Sequence, residues 1–460
     1  PLGKPAREPR PLVVDTELAA RGMGPVSLRY GRVLNGILEL QRGPQGLHVT
    51  RGQLRFGGGA PALPSRPGVM IAGKLPSLDL GQWQTLLFLP TATGTATRTA
   101  ASTSTSIAPL VTSVDLRVRE LRAFGIQFHA LRVQAQREAQ RWLATVDSRE
   151  LAGSLQVPLS LSSGSPLVMD LKRLIISAAP FGGAGRKPMD PRDIPALLLQ
   201  CQQLKYGGAN LGRVTLRISR SAGGLSVDRF TMLSPTLQAD ASGAWTVAAN
   251  GQQVSQFKIK LTSADLGQAL SALGYVSAIS GGKTQAEFDG QWPGSPLQFS
   301  SAHLTGTLHL DVGEGRLLDV EPGVGRVFGL LSLQALPRRL SLDFSDLFRK
   351  GLSFDHIKGD FTFKHGDAYT SNLTMTGPSA EMRITGRTGL VAKDYDQVVT
   401  VVPNITASLP IAGALAGGPA VGAVLFLTQK LFQHQINDIT RYRYTVTGPW
   451  NKPVVKRVSS

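Results

Sequence analysis

Histidines, carboxylates and glycine-flanked lysines occur along this 460-residue chain, but not at the spacings that metal, acid–base or phosphate chemistry requires. The seven histidines, at 48, 129, 303, 309, 356, 365 and 434, form no paired zinc spacing, and none shares a helical turn with a glutamate. Gly281-Gly282-Lys283-Thr284 has the ending of a phosphate-binding loop. Ser277 stands at its leading glycine position, however, and the strand phrase Ala286-Glu-Phe288 follows where a helix is needed, so a tight turn is expected. Gly323-Val-Gly325-Arg-Val-Phe-Gly329 misses the dinucleotide fingerprint by one residue and has no βαβ context, and no Gly-x-Ser-x-Gly elbow joins a strand to a helix. Asp15, Glu17 and the other carboxylates are scattered. The sequence therefore assigns no catalytic residue, metal ligand or cofactor, and a non-enzymatic protein is expected.

The pattern that does recur is apolar. Leu151-Ala-Gly153-Ser-Leu155-Gln-Val157, Leu304-Thr-Gly306-Thr-Leu308-His-Leu310, Ile357-Lys-Gly359-Asp-Phe361-Thr-Phe363 and the shorter Ile384-Thr-Gly386 alternate apolar and polar residues around one glycine. Period-2 alternation places the apolar side chains on one sheet face, and the glycine permits a bend or bulge where a Cβ would resist. Four of the five tryptophans follow a glycine by two positions, at Trp83, Trp245, Trp292 and Trp450, and mark strand ends. These phrases fit an extended sheet built from copies of one unit, and they equally fit a large β-sandwich.

Composition narrows the class. With 51 glycines, 29 prolines and only 17% charged residues, the chain reads as turn-rich β structure without long solvated helices. The 49 basic against 31 acidic residues leave a net charge of +18, which invites an anionic partner. In Leu116-Arg-Val118-Arg119, Arg213-Val-Thr-Leu-Arg217-Ile-Ser-Arg220 and Phe257-Lys-Ile259-Lys-Leu261 the basic residues alternate with apolar ones, so they form the wet face of strands. Aromatics make up only 6% and keep phase with the apolar face, which argues against a stacking nucleic-acid binder. The single cysteine, Cys201, rules out an intramolecular disulfide.

The fold class expected is mainly β, an elongated, curved antiparallel sheet forming a hydrophobic groove, with a few short helices toward the C-terminus. Residues 1–10, opening on the tag-scar-like Pro1-Leu2-Gly3, are expected to be disordered, and the chain to be an excised piece of something longer. Residues 11–90 form a groove segment of two successive hairpins, and 91–108 a flexible low-complexity loop. Residues 109–262 continue the meander, with a short helix or edge turn at Asp190-Pro191, and 263–460 add short helices, the first capped by Ser263 and stopped by Gly274. Further helices are expected at 323–333 and 343–348. The uncharged run 409–427 approaches the ~20 residues of a spanning helix, but Gly417-Gly418-Pro419 breaks it into two apolar helices. These either cap the sheet or lie on a membrane surface with Leu415, Val421, Leu425 and Phe426 facing inward.

Asp311-Val-Gly313-Glu-Gly-Arg-Leu-Leu-Asp-Val-Glu-Pro322-Gly, Arg326-Val-Phe-Gly-Leu-Leu-Ser-Leu, Gly351-Leu-Ser-Phe-Asp355 and the segment from Pro403 onward resemble the C-terminal region of the AsmA-like family. The resemblance covers most of the chain and is most specific from about residue 190 onward, while before residue 110 it rests on generic strand phrases. It implies a Gram-negative envelope protein held in the inner membrane by an N-terminal helix absent from this sequence, crossing the periplasm as a groove that carries phospholipids. The C-terminal end would then face the outer membrane surface. The expected lipid-facing residues are Leu116, Val118, Ile126, Phe128, Val133, Leu155, Val157, Leu216, Ile218, Phe257, Ile259, Leu261, Leu308, Leu310, Phe361, Phe363 and Ile384. The same alternation also suits a scaffold whose apolar face is covered by its own layers.

Overall fold

The computed structural model describes residues 11–19, 22–43, 46–79, 110–123, 126–160, 164–177, 190–275, 278–318, 352–378, 380–403 and 441–458. The expected loop at 91–108, the helices at 323–333 and 343–348 and the apolar run 409–427 lie outside the described residues. The chain is mainly β with very few helices, as alternation and turn chemistry predict, and it divides into two compact units.

The first unit contains β1 (Leu12–Ala19), β2 (Gly22–Tyr30), β3 (Leu34–Gly43), β4 (Gly46–Phe56), β5 (Gly68–Asp79), β6 (Val111–Ala123), β7 (Ile126–Arg137), β8 (Arg141–Asp147), β9 (Leu151–Pro158), β10 (Leu167–Ile176) and β11 (Leu197–Tyr206). Each strand pairs with the next in sequence. The meander expected over 109–262 needs correction at β10–β11, which is parallel, and the pairs β4–β5 and β5–β6 before it are parallel as well. A parallel pair needs a connection long enough to return the chain to the starting edge, and segments 57–67, 80–110 and 177–196 supply it. The second expected hairpin is also absent, since its two phrases, at 46–49 and 52–56, lie in the single strand β4 with a register shift opposite Glu39 and Leu40.

β12 (Ala209–Ser221) is divided between the units. The second unit holds β13 (Gly224–Leu233), β14 (Gln238–Val247), β15 (Gln253–Ser263), β16 (Ile279–Gly281), β17 (Thr284–Pro293), β18 (Thr305–Val312), β19 (Gly315–Leu317), β20 (Leu352–Phe354), β21 (His356–Lys364), β22 (Asp367–Thr376), β23 (Ala380–Gly389), β24 (Asp394–Pro403), β25 (Tyr442–Pro449) and β26 (Val454–Val458). Its main ladder is antiparallel throughout and runs β13–β14–β15–β17–β18–β21–β22–β23–β24–β25–β26. The short strands β16, β19 and β20 form a separate three-stranded sheet. In neither unit do the described strands close into a barrel.

Local chemistry explains the remaining elements. The helix Leu266–Ala272 is capped by Asp265, whose carboxylate accepts from the Gln268 amide at 2.9 Å, two residues after the expected cap Ser263. The Ser263 hydroxyl instead donates to the Thr236 carbonyl at 2.7 Å. Gly274 ends the helix at φ +85°. Pro191–Asp193 is a single 3-10 turn capped by Asp190. Gly282-Lys283 is a two-residue link from β16 into β17, so a strand and not a helix follows the glycines, and in place of the expected tight turn the chain crosses between two sheets.

Two of the phrase glycines show why the position excludes a side chain. Gly153 has φ +152°, and a Cβ there would lie 2.3 Å from the Asp170 carbonyl oxygen. Gly386 has φ +127°, with its Cβ position 2.4 Å from the Asp396 carbonyl oxygen. Opposite each, the register slips, between Leu171 and Arg173 and between Thr370 and Leu373. A bulge of this kind bends the strand and raises its local twist.

The outer face of the second unit is neutralised across strands. Asp240, Lys260, Glu287, His309 and Asp360 share one cross-strand row, with Lys260–Glu287 at 2.9 Å and His309–Asp360 at 2.6 Å. The neighbouring Lys258–Asp289 pair stands at 3.2 Å. Such exposed pairs add little stability, but they hold register and solvate the face. Arg387 on β23 reaches Asp367 on β22 at 3.0 Å and Asp394 on β24 at 2.9 Å, and its hydrogen bond holds the Asp394 carboxyl below the usual carboxylate range.

Two outcomes follow in urea unfolding of the purified chain. Gly386→Ala lowers stability by about 1–3 kcal/mol, the cost of forcing an L-residue into this conformation, whereas Gly223→Ala, whose new Cβ has its nearest neighbour at 3.8 Å, stays within about 0.5 kcal/mol of the parent. Asp394 has a depressed folded-state value, so its contribution is complete above the unfolded carboxylate range near pH 4 and fades as pH falls through the folded value. Asp394→Asn therefore costs about 1–2 kcal/mol at pH 7 and converges with the parent in strong acid.

Candidate functional site

Register turns the apolar phrases into continuous rows. In the first unit, Leu34, Phe56, Gly73, Leu116, Val133, Val146, Gly153, Leu171 and Cys201 are successive cross-strand partners from β3 to β11. A parallel row carries Leu54, Ile71, Val114, Ala135, Ala144, Leu155, Met169 and Leu199. Val118, Phe128, Leu131, Leu171 and Cys201 are buried here, and Leu116, Ile126, Val133 and Leu155 pack half-buried against them. Val157 is half-buried opposite Trp142 at the end of β9. Burial pushes the Cys201 thiol up, which leaves it protonated and unreactive.

In the second unit one row runs Phe230, Ala241, Ile259, Phe288, Leu308 and Phe361 from β13 to β21. The next carries Met232, Ala239, Leu261, Ala286, Leu310 and Gly359. Glycines in the third row make room for rings: the Phe257 ring lies over Gly243, and the Phe288 ring over Gly290. A glycine without a side chain is thereby covered by a neighbouring aromatic.

Exposure along these rows is graded. Leu216, Ile218, Phe230, Ile259 and Leu261 are half-buried and belong to no buried cluster. Phe257, Phe288, Leu308 and Leu310 are half-buried against the edge of the second unit's core. Phe361 (2% exposed), Phe363 (5%) and Ile384 (0%) lie inside it. That core also contains Leu270 of the helix, Ile279, Leu317, Leu352 and Phe354 of the small sheet, and Val399 and Val446 of the main sheet. The expected face thus grades from a half-buried stretch at Leu216, Ile218, Ile259 and Leu261, with Met232 and Ala239 already buried, to a closed stretch at β21–β25. The tail residues Leu415, Val421, Leu425 and Phe426 lie outside the described residues.

Several row members were not among the expected face residues. Phe288 sits in a phrase already read as a strand, and its period-2 spacing from Ala286 was the available signal. Phe230 was hidden because the register shift between Val227 and Phe230 breaks the alternation in β13. Val146 and Leu171 carry the signal only through their strand partners.

The chemistry of these rows is solvation. They offer methyl, methylene and ring surface, and the buried Gln397 donates to Thr388 at 2.7 Å, while the buried Thr370 hydroxyl has no hydrogen-bond partner among the described residues. Among the described residues no three His, Cys, Asp or Glu side chains converge as a metal site, and no helix is long and apolar enough to cross a membrane.

Comparison with known proteins adds the lineage. The chain is 25% identical over 409 residues to the Escherichia coli (strain K12) protein described as "Intermembrane phospholipid transporter YhdP". The alignment covers 86% of this chain and 31% of that protein, so the chain spans about a third of the length of the curated relative it matches. No solved structure matches. The YhdP protein family matches residues 1–455, nearly the full length, and the chain belongs to that family.

Proposed function

We propose that this chain conducts phospholipids between the inner and outer membranes, with the acyl chains lying along the apolar rows and the headgroups in water. The observation that carries this reading is the stretch of half-buried apolar side chains around Leu216, Ile218, Ile259 and Leu261, which no buried cluster absorbs. A relative that aligns with 86% of this chain at 25% identity is described as an intermembrane phospholipid transporter, which supports the same chemistry.

Energetics favour a continuous surface over a specific pocket. A phospholipid with roughly 30 methylenes would cost about 24 kcal/mol gross to expose to water, at ~0.8 kcal/mol per methylene. Apolar rows replace water along the path without directional bonds, so successive positions are nearly equivalent and a lipid slides with small barriers. Such transport needs no catalytic residue. In this reading the chain works in the periplasm, an N-terminal helix of the longer protein anchors it in the inner membrane, and its C-terminal end approaches the outer membrane.

A scaffold reading draws on a different observation, the closed cluster around Phe361, Ile384, Val399 and Val446. Substitution separates the two. Ile259→Asp and Leu216→Asp are expected to keep the parent's unfolding midpoint while abolishing phospholipid retention in native mass spectrometry and transfer between vesicles. Ile384→Asp, a charge in a fully buried site, is expected to lose several kcal/mol of stability. Unfolding of the Ile259→Asp and Leu216→Asp proteins, or full lipid retention by them, would overturn conduction in favour of the scaffold.

A further inference from the structure

We infer that one rim of the second unit's sheet is a docking surface for a bilayer bearing anionic headgroups. The rim consists of the connections β17–β18, β21–β22, β23–β24 and β25–β26, which antiparallel pairing brings to the same strand ends. Large apolar side chains stand out from it: Leu297 is 67% exposed, Phe299 55%, Val391 56% and Val454 40%. This inference deepens the lipid-transport reading and rests on it for the nature of the partner.

The rim is built as one surface. The Gly366 carbonyl accepts from the amides of Leu390 at 2.8 Å and Val391 at 3.3 Å, joining two of the turns. A Cβ on Gly366 would lie 2.9 Å from Val391 Cγ2 and 3.7 Å from Ala302 Cα, so a third connection packs alongside. The Trp450 amide donates to the Lys393 carbonyl at 2.7 Å and its indole to the Asp394 carbonyl at 3.1 Å, fixing the fourth. The Trp292 indole donates to the Ser295 carbonyl at 3.1 Å, and its ring meets Phe299 edge-on at 5.2 Å. With these donors already paired, the rim can lose water without orphaning them.

Charge and apolar exposure select the partner. Lys364, Lys393 and Lys452 are exposed on these turns, while the rim carboxylates Asp367 and Asp394 are both held by Arg387. The rim thus presents cations with its acidic groups already paired. Exposed cations set beside exposed apolar side chains suit an anionic lipid surface, which can take both in one contact. The buried Trp292 and the half-buried Trp450, each with its indole N–H held by a carbonyl, brace the turns that carry these side chains.

The test is flotation of the whole chain with vesicles of phosphatidylethanolamine and phosphatidylglycerol, against vesicles of phosphatidylcholine alone. It is run in the parent and in the Leu425→Asp/Phe426→Asp background, which removes any contribution of the apolar tail. Leu297→Ser/Val391→Ser, which touches only exposed positions, is expected to lower the bound fraction by about tenfold with no change in unfolding midpoint. Lys393→Glu/Lys452→Glu is expected to abolish the preference for anionic vesicles, and added salt should weaken parent binding. Unchanged binding by the serine variant, or no binding left in the tail-substituted background, overturns the inference and leaves a protein partner for this rim. Phospholipid retention in native mass spectrometry reads the apolar rows separately. Its absence alongside rim-dependent flotation would defeat the transport reading and not the rim.

Discussion

A strand inside a sheet satisfies its backbone hydrogen bonds through its two neighbours, so the ladder can extend strand after strand, but the apolar face it creates must still be kept from water. Each part of this chain answers that requirement differently. At β21–β25 the face closes on itself with the help of the helix Leu266–Ala272 and the small sheet β16–β19–β20, leaving Ile384 and Val399 with no exposure. At β13–β15 burial is partial: Met232 and Ala239 are buried, while Ile259 and Leu261 remain half-buried and join no buried cluster. Half-buried apolar rows of this kind are what the proposed lipid guest would complete.

The outer face obeys the complementary rule. Its rows of alternating charge, such as Asp240, Lys260, Glu287, His309 and Asp360, neutralise one another across strands and hold the register that aligns the apolar rows on the opposite face. A one-residue slip would exchange the two faces. The ion pairs therefore matter less for their individual energies than for excluding the alternative register. Glycines act on the same geometry, because bulges at Gly153 and Gly386 bend the strands while the rows continue past them.

Much of this was legible in the residues. Alternation gave the strands and their apolar faces, two of the glycine phrases, at Gly153 and Gly386, fell opposite register shifts while Gly306 did not, and the Gly-x-Trp phrases marked strand ends at Trp245, Trp292 and Trp450. Lys258 and Lys260 fell on the wet face, as their alternation with Phe257, Ile259 and Leu261 requires. Errors arose where local pattern underdetermines direction or phase. Strand direction in the parallel pairs β4–β5, β5–β6 and β10–β11 is set by pairing between segments distant in sequence, and the shift in β13 concealed Phe230.

Alternation is a local property, set by the two-residue period of the extended backbone, and so the sequence by itself determined which side chains share a face. Whether that face is open or covered depends on which distant segments pack against it, which no local period encodes. Tertiary structure alone separated Ile259 from Ile384, two residues with the same neighbours-in-sequence signature and opposite exposure. It likewise gathered Leu297, Val391 and Trp450 onto one rim, because antiparallel pairing returns every second turn to the same edge.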